Sequence, residues 1–355
     1  MLVKRNSMTH RLGRLDELPR VTLGHTPTPI EHLVNLTAQE QSAQIYVKRD
    51  DCTGLAFGGN KVRQLEFYLG EAQRQEADTV LITGAVQSNF VRLAAAAACK
   101  LGMDCHIQLE ERVPKDDENY RNSGNVLLDK MLGATLYSYA DGDDEAGADR
   151  QLGLIAEDLR KKGRKPYIVP LSPGHPPLGA LGYVDAAREI LSQCDDSGLA
   201  FDEIIVASGS GNTHAGLLFG LRACGSNIPV TGTCVRRNAT SQLERIRDRC
   251  REIAVLLQIE PVVTESDIIL TDDYFAPGYG QLNSAAIEAI RRAAQTEALL
   301  LDPVYTAKTM ACALARASAL GPEKSILMVH TGGTPALFAY AKDLADLFSE
   351  ASPAI

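Results

Sequence analysis

Along the chain, short runs of β-branched and aliphatic residues alternate with longer stretches whose apolar positions recur every three or four residues. The runs read as strands at 45–48, 79–83, 105–109, 135–139, 167–169, 203–207, 230–235, 267–270 and 326–330. The run at 79–83, TVLIT, is apolar throughout, as a strand covered on both faces is. The longer stretches read as helices at 90–101, 125–132, 178–191 and up to about 161. Another follows Lys61, where Val62, Leu65, Leu69 and Ala72 form one apolar stripe. Such regular alternation predicts an α/β fold with mostly parallel sheets covered by helices on both sides. No fixed-period repeat or low-complexity linker interrupts it, and 355 residues suffice for two lobes.

Composition narrows the classes of partner. The chain is 45% hydrophobic and 23% charged, as soluble globular proteins are. Its net charge of −9, with no basic stripe interleaved with aromatics, argues against nucleic acid and anionic membranes as partners. The apolar run 93–99 is far too short to span a bilayer. Lys4, Arg5, Arg11 and Arg14 make the N-terminus basic, but no apolar segment follows as a secretory signal requires, so the expected location is the cytoplasm. Cysteines 52, 99, 105, 194, 224, 234, 250 and 312 form neither CxxC pairs nor clusters with histidine, so they read as small buried hydrophobes rather than a disulfide frame or metal site. The acidic run 141–145 reads as a solvated turn opening a helix.

Three turns carry candidate chemistry. Gly58-Gly59-Asn60-Lys61 delivers a lysine to the first turn of a helix, where the positive end of the helix dipole disfavours its charge. A free ε-amine titrates near ~10.4, so a nucleophilic lysine near neutrality requires a site that disfavours its charged form by about 4 kcal/mol. A solvated surface lysine is the plain alternative. The second turn, Ser208-Gly209-Ser210-Gly211-Asn212-Thr213, runs from a strand into a helix, a geometry that holds phosphate on free backbone N–H groups. It lacks the lysine of a Walker loop, and His214 stands where a dinucleotide fingerprint has its third glycine. Arg236 and Arg237 after the next strand could pose as a 2′-phosphate site, so a nicotinamide-dependent oxidoreductase remains an alternative at this point, as does an ordinary glycine-rich turn. The third turn, Gln87-Ser88-Asn89, sets hydroxyl, amide and N–H groups at a helix start, suited either to a substrate carboxylate or simply to capping.

These turns fall within an ordered set of motifs: KRDD at 48–51, GGNK at 58–61, GAVQSN at 84–89, LGALGY at 178–183, ASGSGNTHAG at 207–216, DDYFAPGYG at 272–280, LLDPVYTAK at 300–308 and HTGGTPALF at 330–338. The set, spanning residues 18 to 340, closely resembles the D-cysteine desulfhydrase and 1-aminocyclopropane-1-carboxylate deaminase family of fold-type II pyridoxal phosphate enzymes, relatives of the tryptophan synthase β subunit. The resemblance implies two three-layer α/β domains with twisted sheets: a large cofactor-binding domain from residues 1–63 and 181–355, and a small inserted one at 64–180. It implies a homodimer, no metal, and pyridoxal phosphate held between the domains.

Position by position, the resemblance makes Lys61 the Schiff-base lysine and catalytic base. Asn60, Asn89, Ser210, Gly211, Asn212, Thr213, Thr306 and Thr331 become cofactor contacts, and Gln87, Ser88 and Asn89 hold the substrate, with Ser88, Tyr279 and Tyr305 near the chemistry. Ring-opening deaminases of this family resemble one another in a glutamate and a leucine where this chain has Thr306 and Thr331, so the desulfhydrase branch fits better. The expected reaction is β-elimination from a three-carbon amino acid, with D-cysteine the leading substrate and L-cysteate, released as sulfite, the second. Two departures from the family pattern, Phe90 after QSN and the stretch Ser172-Pro173-Gly174-His175-Pro176-Pro177, fall near the expected substrate side. His175 is a candidate holder of a second anionic group there.

Overall fold

A computed structural model describes residues 12–40, 42–171 and 174–349. The basic segment through Arg11, and Ser172 and Pro173, lie outside the described residues. Among the described residues ten strands form two sheets. Ile30–His32 (β1), Gln44–Lys48 (β2), Glu203–Ser208 (β7), Val230–Cys234 (β8), Ile268–Thr271 (β9) and Ser325–Val329 (β10) make a six-stranded sheet in the order β1-β2-β10-β7-β8-β9. Thr79–Ala85 (β3), Asp104–Glu110 (β4), Thr135–Tyr139 (β5) and Pro166–Val169 (β6) make a four-stranded sheet in the order β5-β4-β3-β6. Every pairing is parallel except β1 with β2, as helical crossovers between strands require.

The helices of twelve or more residues are Lys61–Arg74 (α1), Asn89–Lys100 (α2), Glu145–Lys161 (α3), Leu178–Ser197 (α4), Asn212–Ala223 (α5), Ala239–Leu257 (α6), Ser284–Glu297 (α7) and Thr306–Leu320 (α8). Strand ends differ from the sequence expectation by a residue or two, while α4 runs six residues further, to a left-handed Gly198. The last three long helices and β1 carried no expectation: α8 is rich in small residues, which blur its apolar stripe, and β1 is three residues long. Among the described residues no helix is long and apolar enough to cross a membrane.

Helix α1 is more deeply set than its stripe implied. Its apolar residues pack into the core under β3 and α2, and its polar side is buried too. Arg63 bonds Asp50 at 3.0 Å and Glu189 at 2.8 Å, and Glu66 accepts from Arg20 and from the N–H groups of Leu23 and Gly24. Buried charges are costly unless paired in this way, and the pairing ties α1 to the loop after β2 and to α4. On its far side α4 approaches so closely that a Cβ at Gly182 would stand 2.2 Å from the Arg63 carbonyl oxygen, which gives the glycines of LGALGY a packing role.

Candidate active site

The C-terminal ends of β3, β4, β7 and β8 lead into loops that line one cleft. Asn60, Lys61, Ser88, Asn89, Phe90, Arg112, Leu171, Gly209, Ser210, Gly211, Thr213, Arg236, Tyr279, Tyr305 and Thr331 are among its walls. Residues distant in sequence thus meet where parallel strands end, the usual place for ligands in α/β folds.

Lys61 opens α1 from a loop whose backbone demands glycine. Gly59 has φ +128°, and a Cβ there would come within 3.0 Å of the Thr331 carbonyl oxygen. The Asn60 N–H donates to that same oxygen at 3.0 Å, so the loop is locked to the turn after β10. The Lys61 side chain is half-buried in the cleft wall, with Gln64 Oε1 at 3.4 Å and the face of Phe90 at 5.0 Å from its ammonium. Burial, with no carboxylate beside it to oppose the effect, pushes its amine down to about 8. The solvated reading of this lysine therefore fails on geometry.

The glycine turn lies in the same cleft. Gly211 is left-handed and no side chain caps α5, so the N–H groups of its first turn are free for an anion. Thr213 Oγ1 accepts from Asn60 Nδ2 and from Gln64 Nε2, each at 2.8 Å. With both lone pairs engaged, its own proton is directed elsewhere as a donor. These two bonds tie the helix of Lys61 to the phosphate-type turn a hundred and fifty residues away. Amine, uncapped helix and free hydroxyl are what pyridoxal phosphate requires of a site, so the residues present fit that group.

Ser88 caps α2 by accepting from the N–H groups of Phe90 at 3.2 Å and Val91 at 3.4 Å, yet it also lines the cleft. Capping and ligand binding are compatible, because accepting two bonds leaves its hydroxyl proton to donate. Asn125 Nδ2 donates to Asn89 Oδ1 at 2.9 Å, which turns the Asn89 amide nitrogen away as a donor. Tyr279 and Tyr305 hydroxyls meet at 2.6 Å. Burial and the neighbouring tyrosine raise Tyr305 well above an ordinary phenol, which keeps its proton in place.

Four expected side chains stand off the cleft. Gln87 donates to the carbonyls of Tyr120 and Ser123 and accepts from Asn125 N–H, bracing the small sheet's loops. The amide of Asn212 points to Tyr68, so only its backbone faces the turn. Thr306 donates its hydroxyl to Asp302 at 2.7 Å within a helix-capping cluster, whereas Thr331 does reach the cleft. His175 is 51% exposed and faces Asp149 at 3.6 Å, not the cavity. The acidic run is also less solvated than expected, since Glu145 pairs with Arg236, Arg237 and Arg245. Arg112, in a stretch with no recognisable pattern, is a wall residue that the sequence did not single out.

Comparison with known proteins agrees with this geometry. The sequence profile of the family described as pyridoxal-phosphate dependent enzyme matches residues 21–332. A D-cysteine desulfhydrase of Klebsiella pneumoniae subsp. pneumoniae is 42% identical over 331 residues, covering 93% of this chain and 98% of its own. One from Salmonella typhi is 41% identical over the same shares. Among solved structures, an ACC deaminase homologue superposes with a TM-score of 0.84 at 37% identity, covering 95% of this chain and 98% of its own. O-ureido-L-serine synthase, at 19% identity and a TM-score of 0.67 over 96% of each chain, shares the fold.

Proposed function

Because the chain belongs to the family of pyridoxal-phosphate dependent enzymes, we propose that it is a carbon–sulfur lyase that converts D-cysteine to pyruvate, ammonium and sulfide. The observation that carries this reading is one cleft that joins a desolvated amine, an uncapped helix N-terminus and a second helix start bearing Ser88 and Asn89. When bound, pyridoxal phosphate supplies an aldehyde that takes up an amine and a ring that accepts the electron pair left at Cα on deprotonation.

The chain's own residues do the rest. Lys61 Nζ would hold the aldehyde end and would take up the Cα proton, for which a pKa of about 8 is well matched to neutral conditions. Ser210, Gly211, Asn212 and Thr213 cradle the phosphate through backbone N–H groups and the Thr213 hydroxyl, with Asn60 orienting Thr213. Ser88 and Asn89 bind the substrate carboxylate at the start of α2. Tyr279 and Tyr305, whose hydroxyls bond one another, would face the β carbon and its leaving sulfur. Thr331 lines the cleft where the ring-opening deaminases resemble one another in a leucine, and among the described residues no carboxylate lines it, which suits expulsion of a good leaving group better than opening of a carbon ring.

The reading assigns the six-stranded sheet to a discontinuous domain of residues 1–63 and 181–355 and the four-stranded sheet to an insertion at 64–180, with the cofactor between. It also places a homodimer in the cytoplasm, where eight free thiols are at home. The test is an assay of sulfide and pyruvate from D-cysteine by the yellow holoenzyme, with K61A as the inactive control. Failure to form pyruvate from either D-cysteine or the more reactive 3-chloroalanine would sink the lyase reading.

A further inference from the structure

The segment 272–282, which brings Tyr279 to the cleft, contains no helix or strand, and Ala276 and Pro277 within it are exposed. With no ladder of its own to fix it, its shape rests on side chains that gather its carbonyls. Asn283 Nδ2 donates to the carbonyls of Tyr274 at 3.0 Å and Ala276 at 2.7 Å. Lys308 Nζ donates to those of Phe275 at 2.8 Å and Gly278 at 3.0 Å. At the far end the Tyr340 hydroxyl donates to the Gly280 carbonyl at 2.6 Å.

Lys308 is the unusual member of this set. Its side chain is buried, and burial pushes its amine down to about 8 with no carboxylate beside it to oppose the effect. Burying an unpaired ammonium is costly, and the neutral amide of Asn283 gathers two carbonyls of the same loop without that cost. What the lysine supplies is strength, since an N–H on a cation bonds a carbonyl about twice as strongly as a neutral one. It also springs from a fixed point. Lys308 lies in the first turn of α8, just after Tyr305, and Asp302 caps that start by accepting from the N–H groups of Val304 and Tyr305, each at 3.0 Å, and of Thr306 at 2.8 Å.

One helix start therefore holds both tyrosines. Tyr305 stands on it directly, and Tyr279 follows the Gly278 carbonyl that Lys308 grips. Their hydroxyls meet at 2.6 Å with the rings at 71°. We propose that Lys308 is a positioning residue: its ammonium clamps the loop at Phe275 and Gly278 and so sets Tyr279 against Tyr305 on the substrate side of the cleft. This rests on the reading above that the tyrosine pair faces the β carbon, and it adds the residue that fixes the geometry of the pair. Lys308 does not line the cleft, so its effect on turnover passes through the loop it holds. Asn283 and Tyr340 hold other points of that loop, and neither bonds the carbonyl that precedes Tyr279.

The test combines hydrogen exchange with a double-mutant cycle on holoenzyme. K308M keeps the length of the side chain and removes its donors, so amide exchange across 272–282, read by mass spectrometry, should speed up roughly tenfold while the rest of α8 stays as protected as in wild type. With D-cysteine, kcat/KM should fall about 10- to 100-fold in K308M, mostly through kcat, the scale on which a misplacement of about 1 Å at a reacting group is felt. Y279F should also lose activity, and K308M/Y279F should fall no more than about twofold below the weaker single variant, because a clamp has nothing to place once the Tyr279 hydroxyl is gone. K308Q retains an amide donor; it should lose less than K308M and takes its place in both measurements if K308M folds poorly. Loop exchange unchanged in both Lys308 variants, losses that multiply in the double variant, or a fully active Y279F would overturn the proposal. The exchange measurement reads the clamp without turnover. A wild type that forms no pyruvate from D-cysteine or 3-chloroalanine, with faster loop exchange in K308M, would sink the lyase reading and uphold the clamp.

Discussion

Replacing Lys61 with methionine should make the cofactor-free protein more stable, although it abolishes the function proposed here. The amine is half-buried in the cleft, has a long contact to Gln64 Oε1 at 3.4 Å, and is pushed down by desolvation to about 8 in the folded chain against 10.5 for a free lysine. Between those two values the unfolded chain binds the proton that the folded chain has released, so wild-type stability rises with pH across that window. Below it both states are protonated and the fold bears the whole penalty, about 3 kcal/mol at pH 7 from a difference of 2.5 in pKa. By pH 9.5 about half of that penalty has gone. Methionine has similar length and no charge, so urea denaturation of apo K61M followed by circular dichroism should show a gain of about 3 kcal/mol at pH 7 that shrinks to about 1.5 kcal/mol at pH 9.5. Adding pyridoxal phosphate should reverse the order, stabilising wild type by about 2.7 kcal/mol at a hundredfold excess over its dissociation constant and the variant little. A K61M apoprotein no more stable than wild type at pH 7, or a gain that does not diminish with rising pH, would refute the picture of a desolvated amine.

Two other substitutions probe the supports of the site. T213V removes the oxygen on which the amides of Asn60 and Gln64 converge, leaving buried donors unpaired; we expect about 1–3 kcal/mol lost in denaturation and a tenfold or greater rise in the dissociation constant of pyridoxal phosphate by absorbance titration. S88A deletes both the cap of α2 and the proposed carboxylate donor, so it should cost about 1 kcal/mol of stability and raise KM for D-cysteine at least tenfold with the cofactor still bound. An S88A enzyme with unchanged KM would leave Ser88 as a cap alone.

The alternation of strands and helices could be read along the chain because each signal is local. The period of apolar positions is a property of one element, and a strand buried on both faces shows its character in five residues, as TVLIT does. Turn chemistry is local too: Gly58 and Gly59 announce a backbone that L side chains resist, and the structure shows why at Gly59, where Thr331 leaves no room for a Cβ. With the family resemblance, this was enough to single out Lys61, the turn at 208–213 and the pair Ser88–Asn89. It was not enough to say which way neighbouring side chains face. Gln87, Thr306 and Asn212 adjoin cleft residues in sequence, yet each spends its polar group on a loop, a cap or Tyr68, because one step along a turn or helix start rotates a side chain out of the cavity.

The sequence by itself therefore determined nine of the ten strands among the described residues, the long helices up to α5, their parallel arrangement and the amine around which the chemistry is proposed, since all of these are written in residue order over a few positions. Only the tertiary structure decided that Thr213 would fasten the helix of Lys61 to the glycine turn, that Glu145 would gather three arginines, and that Arg112 would face Arg236 across the cleft. Such pairings depend on how the ends of two separate sheets are brought face to face, a long-range relation between side chains that no spacing along the chain encodes.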